Sequence, residues 1–361
     1  MPKKDRKRKY DLTLLAVIFL LVMTGLFILY STSAYNGEVK FHDSFYYLKK
    51  QAFATALGMI LMFVMANIDY HVWQRFAVLG YIIALILSTA VLFIGDEYNG
   101  SKRWLSFGPF SFQPSEYAKI ALILFLSYMV MKHVKEIDKV GTLAKIIISI
   151  LPIVGLVGSN NLSTAVIILG IAIILIFVSS PKYMQFFVMG GLAVGFLGIF
   201  LALESYRLER LEIWRNPENF EKGYQTLQGL YAIGSGGLFG RGVGESIQKL
   251  GFVPEAQNDM IFSIICEEMG LVGASFIIFL FLILIWRFFV IAVHARDLFG
   301  ALIATGAMGH MMIQVILNIA VVTNSIPNTG ITLPFISYGG TSVVFLLLEM
   351  GLVLSVSNLI E

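Results

Sequence analysis

One carboxylate stands at the entrance to an apolar segment, where it could accept a proton from a substrate. Asp259 ends the stretch Val253–Asp259 and comes just before a long apolar run. A carboxylate there can act as a general base on a bound hydroxyl, or it can cap the N-terminus of a helix. Glu267 and Glu268 follow inside the apolar run, where buried carboxylates need partners. Lys119 is a candidate partner on topological grounds.

The segment Gly100–Lys119 holds a second group of chemically capable residues: Arg103, Trp104, Gln113, Glu116 and Lys119. Arginine and tryptophan together can bind a phosphate and stack on a sugar or an isoprenoid. Glu116 and Lys119 are three residues apart and share one helix face, after a helix start at Pro114. They form either a simple capped ion pair or one wall of a substrate site.

Two further segments have unusual composition. The glycines of Gly234–Gly244 match neither a Walker loop nor a good dinucleotide fingerprint, and no strand precedes them, which argues against nucleotide binding. This segment, which includes Arg241, is either a flexible loop or a mobile flap over a substrate groove. The uncharged segment Asn324–Ser342, which includes Ser337 and Tyr338, is either a re-entrant packing loop or a loop that lines a substrate site.

The composition places these segments in a membrane protein. Of the 361 residues, 57% are hydrophobic and 14% are charged, and the mean hydropathy is +0.80. A soluble domain of this size could not bury so much apolar surface. A spanning helix needs roughly 20 apolar residues. Ten segments qualify: Leu12–Tyr30, Ala52–Ile68, Phe76–Ile94, Ser115–Met131, Val140–Val157, Leu162–Val178, Met184–Leu203, Ile261–Trp286, Phe299–Val322 and Thr341–Val356.

These spans predict an all-α, polytopic membrane protein, with residues 1–361 forming one domain. Residues 1–11 form a basic tail, which indicates attraction to cytoplasmic membrane lipid rather than to nucleic acid. Lys and Arg are concentrated in the loops on the side of this tail, so both termini are predicted to be cytoplasmic. The long loop 204–260 and the other unusual segments then face outside, where a synthetic reaction needs a substrate activated in advance, such as a sugar on a lipid pyrophosphate.

Together the motifs resemble the shape, elongation, division and sporulation (SEDS) family, the group of RodA, FtsW and SpoVE. The resemblance covers essentially the whole chain. It is carried by Arg103-Trp104, Phe112–Lys119, Gly236–Gly242, Pro254–Asp259 and Leu333–Gly340. It implies a ten-helix peptidoglycan glycosyltransferase that polymerises lipid II at the outer face of the bacterial cytoplasmic membrane. It also implies a class B penicillin-binding transpeptidase as partner and dependence on a divalent cation, Mg²⁺ or Mn²⁺, whose ligands remain unknown.

The resemblance also assigns roles to residues. Asp259 matches the essential aspartate of the family and is expected to be the general base of an inverting transfer to a glycan strand on undecaprenyl pyrophosphate. The expected substrate-binding residues are Arg103, Trp104, Gln113, Glu116, Lys119, Arg241, Ser337 and Tyr338. Glu267 and Glu268 are expected to form a charge network. Gln257-Asn258 and Asn160-Asn161 depart from the usual family wording, whereas Asn324–Thr329 is closer to the FtsW and SpoVE branch.

Two other functions stay open at this point. A lipid II flippase would need functional residues on both membrane faces, and a scaffold would only recruit the transpeptidase. The polymerase hypothesis requires that Asp259, the pair Glu116 and Lys119, and the segment before the tenth span share one chamber.

Overall fold

Long apolar helices make up most of the computed structural model, which describes residues 10–98, 101–108, 110–182 and 211–360 and a few isolated positions between 187 and 198. The helices are α1 (Leu12–Phe41), α2 (Tyr46–Asn67), α3 (His71–Ile94), α4 (Pro114–His133), α5 (Val140–Asn160), α6 (Leu162–Ser179), α7 (Tyr224–Gly236), α8 (Ile261–His294), α9 (Leu298–Val322) and α10 (Gly340–Ser357). Within these described ranges, nine helices are long and apolar enough to cross a membrane.

The nine helices coincide with nine of the predicted spans, so the all-α, multi-pass prediction is confirmed. The short helix α7 is not a span and belongs to the long loop. The seventh predicted span, Met184–Leu203, and the basic residues Lys3–Lys9 lie largely or wholly outside the described residues.

Small residues let the helices approach closely. Gly58 on α2 lies against Val344 and Leu347 of α10, and Gly351 on α10 lies against the backbone of Met62. Inside a membrane, helix association depends on such close van der Waals contact, because lipid is as apolar as the side chains. These contacts hold α10, and the segment that precedes it, against α2.

A small antiparallel sheet precedes α4, which the all-α prediction did not include. Its strands are β1 (Asp96–Tyr98), β2 (Ser101–Phe107) and β3 (Phe110–Phe112) in the order β1-β2-β3. Phe107 pairs with Phe110, so the turn at Gly108 has two residues, and Gly108 has a φ of +62° that suits glycine. The sheet gives Arg103 and Trp104 fixed positions on β2.

Helix α8 is broken near its N-terminal end. Gly270 has φ 65° and ψ −167°, outside the helical region. The glycine-rich segment crosses α8 at this break. Four backbone hydrogen bonds join them: from Arg241 to Glu267 (2.9 Å), from Gly242 to Glu268 (3.0 Å), from Leu271 to Gly237 (2.9 Å) and from Val272 to Leu238 (3.1 Å). Irregular backbone within a membrane span is tolerated because its polar groups are satisfied in this way. The start of this segment is therefore packed against a span, not loose.

The tight packing of this crossing gives a stability prediction. A Cβ at Gly236 would overlap the backbone of Cys266, whereas a Cβ at Gly234 would meet open space. Gly236→Ala should therefore destabilise the fold by about 1–3 kcal/mol through overpacking. The matched control Gly234→Ala, in the same helix, should be neutral or stabilising by roughly 0.5–1 kcal/mol. Thermal unfolding in detergent measures both, and equal melting temperatures would show that the crossing is not tightly packed.

Candidate active site

One cavity of about 1430 Å³ lies where four helices begin. Its lining includes Gln113, Asn161 and Gly339, which are the N-cap residues of α4, α6 and α10. Asp259 also lines it and immediately precedes Met260, the N-cap of α8. Helix N-termini present free N–H groups and the positive end of the helix dipole. The cavity is therefore suited to an anionic ligand.

Most of the predicted site residues line this cavity: Arg103, Trp104, Gln113, Glu116, Lys119, Asp259 and Tyr338. The carboxylate before α8, the ion pair at the start of α4 and the segment before α10 thus share one chamber. Asn324, Asn328 and the backbone around Gly330 add further polar groups from the segment before α10.

Asp259 is half-buried in the cavity wall. The Nε2 atom of Gln225 lies 3.5 Å from its Oδ1 atom. The backbone carbonyl of Asp259 accepts a hydrogen bond of 2.9 Å from Nδ2 of Asn318, which also donates to the carbonyl of Ile331 (2.7 Å). Burial, helped by the charge of Glu255, raises the pKa of Asp259 from 3.8 to about 6. A carboxylate with such a pKa is well matched to proton transfer near neutral pH.

Glu116 and Lys119 form a buried ion pair in the wall of the same cavity. Their Oε1 and Nζ atoms are 2.9 Å apart, and Lys119 is only 1% exposed. Ser342 donates to the second oxygen of Glu116 at 3.0 Å, and Lys119 also donates to Oε1 of Gln314 at 3.2 Å. A buried pair of this kind is costly to break, because either partner alone would be an uncompensated charge.

The turn between α5 and α6 fixes the strand that carries Arg103 and Trp104. Arg103 Nε donates to the carbonyl of Asn160 at 3.1 Å, and Asn160 Nδ2 donates to the carbonyl of Lys102 at 2.7 Å. Asn161 accepts from the backbone of Thr164 at 3.1 Å and so caps α6. The turn therefore positions β2 beside the cavity without a carboxylate at position 160 or 161.

The segment before α10 is partly packed inside the protein and partly lines the cavity. Ser337 is buried, does not line the cavity, and accepts a hydrogen bond from the backbone of Leu333 (2.8 Å). Tyr338 lines the cavity, and its N–H donates to the carbonyl of Gln257 at 2.9 Å. Gln257 in turn accepts from Asn36 of α1 at 3.0 Å. Ser337 thus supports the segment from behind, while Tyr338 faces the chamber.

The charges on α8 have other partners than Lys119, so that expectation is wrong. Glu267 pairs with Arg241 at 3.2 Å, and Glu268 pairs with Lys249 at 2.6 Å. Arg241 is held there and is not among the residues that line the cavity. Both carboxylates thus anchor the loop that leads to Asp259, and Lys249 was not singled out in the sequence.

Polar amides inside apolar spans are a signal that the sequence analysis did not use. Gln51 donates to the carbonyl of Ser337 at 3.3 Å and accepts from the backbone of Gly339 at 3.1 Å. Gln314 and Asn318 hold the cavity wall in the same manner. Such groups are costly in lipid unless they bind a partner, so an amide in or directly beside a predicted span indicates a position that faces other protein.

Comparisons with known proteins identify the family of the chain. The family model for cell cycle proteins of the FtsW, RodA and SpoVE type matches residues 11–360. The chain is 39% identical to stage V sporulation protein E of Bacillus subtilis, over 98% of both chains. It is 36% identical to a probable peptidoglycan glycosyltransferase FtsW of Trichlorobacter lovleyi, over 98% of this chain and 95% of that protein.

Solved structures share the fold. A chain from a peptidoglycan synthase complex that coordinates polymerization and crosslinking superposes with a TM-score of 0.83 and 30% identity, over 96% of this chain and 97% of that one. The crystal structure of the Thermus thermophilus rod shape determining protein RodA gives a TM-score of 0.72 and 28% identity, over 96% of each chain.

Proposed function

The chain belongs to the FtsW, RodA and SpoVE family of cell cycle proteins and is a peptidoglycan glycosyltransferase, and we propose that it polymerises lipid II with Asp259 as the general base. One observation carries the assignment of Asp259. Its carboxylate, with a pKa raised to about 6, lies in a chamber that also contains cationic side chains and four helix N-termini. This combination suits a reaction between a hydroxyl group and a sugar on a lipid pyrophosphate.

The reaction is a displacement at one carbon atom. The 4-hydroxyl of the incoming GlcNAc attacks C1 of the terminal sugar of the strand, and Asp259 takes the hydroxyl proton. The bond between C1 and the pyrophosphate oxygen breaks, and the electron pair leaves with the pyrophosphate. A β-1,4 link formed from an α-linked donor requires inversion, so a covalent intermediate on the enzyme is not needed.

The walls of the cavity support binding of the lipid pyrophosphate. Arg103 and Lys50 bring positive charge to the cavity, and the apolar side chains of Phe53, Leu57 and Phe345 also line it. We assign the cations and helix N-termini to the pyrophosphate, and the apolar side chains to the isoprenoid. We assign Glu116 and Lys119 to the electrostatics of the chamber, because they form an ion pair with each other in its wall.

A divalent cation is part of the proposal, although the described residues do not form a resident site for one. No group of three His, Cys, Asp or Glu side chains among them could hold a metal ion. Mg²⁺ is commonly held by one or two carboxylates together with substrate phosphates. We therefore propose that the ion enters with the pyrophosphate, whose charge it would neutralise. Mn²⁺ binding measured without substrate should then be weak.

The test of the function is polymerisation by the purified protein. Labelled lipid II should be converted to long glycan strands, and a chelator should stop the conversion. Movement of labelled lipid II across vesicle membranes without any polymer would instead identify a flippase. Normal growth of cells carrying a polymerisation-dead protein would indicate a scaffold.

The polymerisation rate should fall as the pH is lowered through about 6. Burial raises the pKa of Asp259, so the carboxyl is protonated and cannot accept a proton below that pH. Glu255→Gln removes a negative charge that helps to raise this pKa, so the acid limb should move to lower pH. Measurement of kcat/KM from pH 5 to 8 for both proteins checks this. An unchanged rate at pH 5 would remove Asp259 from the proton transfer.

We propose that a class B penicillin-binding transpeptidase is the partner of this chain. The support is the similar chain in a complex that coordinates polymerization and crosslinking. Co-purification with such a transpeptidase and a faster polymerisation rate in its presence would support the assignment. Neither effect is expected from an unrelated single-span protein.

We also propose that the cavity faces the outside of the cell, because the predicted inner loops are richer in Lys and Arg. The single native cysteine, Cys266, is buried, so the background of thiol labelling is low. Ser111→Cys, at the cavity, should react with a membrane-impermeant maleimide in intact cells with a permeable outer layer. Lys135→Cys, in a predicted inner loop, should react only after lysis, and the reverse pattern would contradict the orientation.

A further inference from the structure

A line of buried polar side chains leads from the cavity into the bundle. Lys119 donates to Oε1 of Gln314, and Nε2 of His310 lies 2.8 Å from the same oxygen. The other ring nitrogen of His310, Nδ1, lies 2.7 Å from Oε2 of Glu349. His310 is 1% exposed and Glu349 is 2% exposed, and neither lines the cavity. Ionisable groups are costly inside apolar spans, so a pair at this depth indicates a functional role.

The hydrogen bonds in this line have a fixed direction. The amide nitrogen of Gln314 donates to the carbonyl of Thr332 at 3.1 Å, so the amide oxygen is the group that faces Lys119 and His310. An amide oxygen only accepts, and therefore His310 must donate from Nε2. One proton then remains to be shared between Nδ1 of His310 and Oε2 of Glu349. The His310–Glu349 pair has no net charge whichever atom holds that proton.

We propose that Glu349 and His310 are positioning residues that act on the substrate site through Gln314 and Lys119. Glu349 holds the ring of His310, and the ring holds the amide oxygen of Gln314 toward the ammonium group of Lys119. If the amide turned over, its N–H₂ group would face the ammonium group, and two donors would repel each other. The inference rests on the proposed role of the Glu116–Lys119 pair in the chamber.

The hydrogen bonding of the Glu349 carboxylate allows this role to be distinguished from simple cross-linking of two helices. Its second oxygen, Oε1, is buried and has no hydrogen-bond partner among the residues that the structure describes. The carboxylate is therefore used through one oxygen only, toward His310. An amide could replace it by donating from nitrogen to Nδ1, which leaves His310 neutral and still donating from Nε2. A leucine of similar volume could not.

The experiment compares kcat/KM of the full chain with labelled lipid II across four variants. We expect Glu349→Leu to lose about tenfold and Glu349→Gln to stay within about twofold of the starting protein. The control Ser355→Ala should leave kcat/KM unchanged. That serine is buried on the same helix, but it donates to the carbonyl of Ile68 on α2 and not to a member of this line. Gln314→Met should lose at least as much as Glu349→Leu. Melting temperatures are measured in parallel to identify variants that fail to fold.

The double variant Gln314→Met/Glu349→Leu decides whether Glu349 acts through Gln314. We expect it to be no slower than Gln314→Met alone, because the loss of the Gln314 amide already removes the hydrogen bonds between His310 and Lys119. Losses that multiply, or a Glu349→Gln variant as slow as Glu349→Leu, would overturn the proposal. If the unaltered chain made no polymer, the proposed function would fail. The same variants would then be compared by their affinity for labelled lipid II.

Discussion

Asp259→Asn should lower the rate of lipid II polymerisation by about 10²–10⁴-fold, which is the usual contribution of a general base. The amide has the same shape as the carboxylate but cannot take the proton of the attacking hydroxyl. The loss should appear in kcat, with little change in the affinity for lipid II, because the cations and helix N-termini of the cavity remain. Single-turnover polymerisation and binding measured separately would distinguish these two quantities.

The folded protein should tolerate this substitution well. Burial raises the pKa of Asp259, so above pH about 6 its ionised form destabilises the folded state relative to the unfolded state. The neutral amide removes that penalty, and the melting temperature at pH 7.5 should not fall. Glu255→Gln is the matched control, since it neutralises another carboxylate that lines the same cavity. If Asp259→Asn polymerised lipid II as fast as an active Glu255→Gln variant, Asp259 would not be the base.

The spans were predictable because lipid imposes one strong requirement on sequence, namely a continuous apolar run. The helix starts at Leu12, Val140, Leu162 and Ile261 fall where the sequence analysis placed them. Helix ends were less predictable. Helix α1 continues to Phe41, well beyond the apolar run, and stops at His42, whose φ of 53° ends the helix. Backbone hydrogen bonds can extend a helix past the membrane, and hydropathy does not register them.

That the motifs meet at one cavity was also predictable, but most of the contacts between them were not. Motifs next to span ends on one membrane face were expected to share a chamber, and Asp259 and Glu116 do line one cavity. The partner of a buried charged side chain depends on which helix faces are in contact. The apolar runs in a sequence carry little information about those contacts. The spacing of three residues predicted the pair of Glu116 and Lys119, but nothing in the sequence indicated that Glu267 and Glu268 pair with Arg241 and Lys249.

Lys119→Met should cause the largest loss of stability among cavity substitutions. It leaves the carboxylate of Glu116, which is only 7% exposed, with Ser342 but without its cation. Breaking a buried pair by removal of one partner costs about 3–5 kcal/mol. Polymerisation should be lost as well, but that loss alone does not separate a folding role from a role in the reaction.

The double variant Glu116→Gln/Lys119→Met separates the two roles. A neutral amide beside a thioether leaves no buried charge, so the melting temperature should recover most of what Lys119→Met alone loses. Polymerisation should stay low if the ion pair sets the electrostatics of the chamber, since the ammonium group is still missing. Recovery of both stability and activity would mean that Glu116 and Lys119 only cap and stabilise α4. In that case, the positive charge around the pyrophosphate would come from Arg103, Lys50 and the helix N-termini alone.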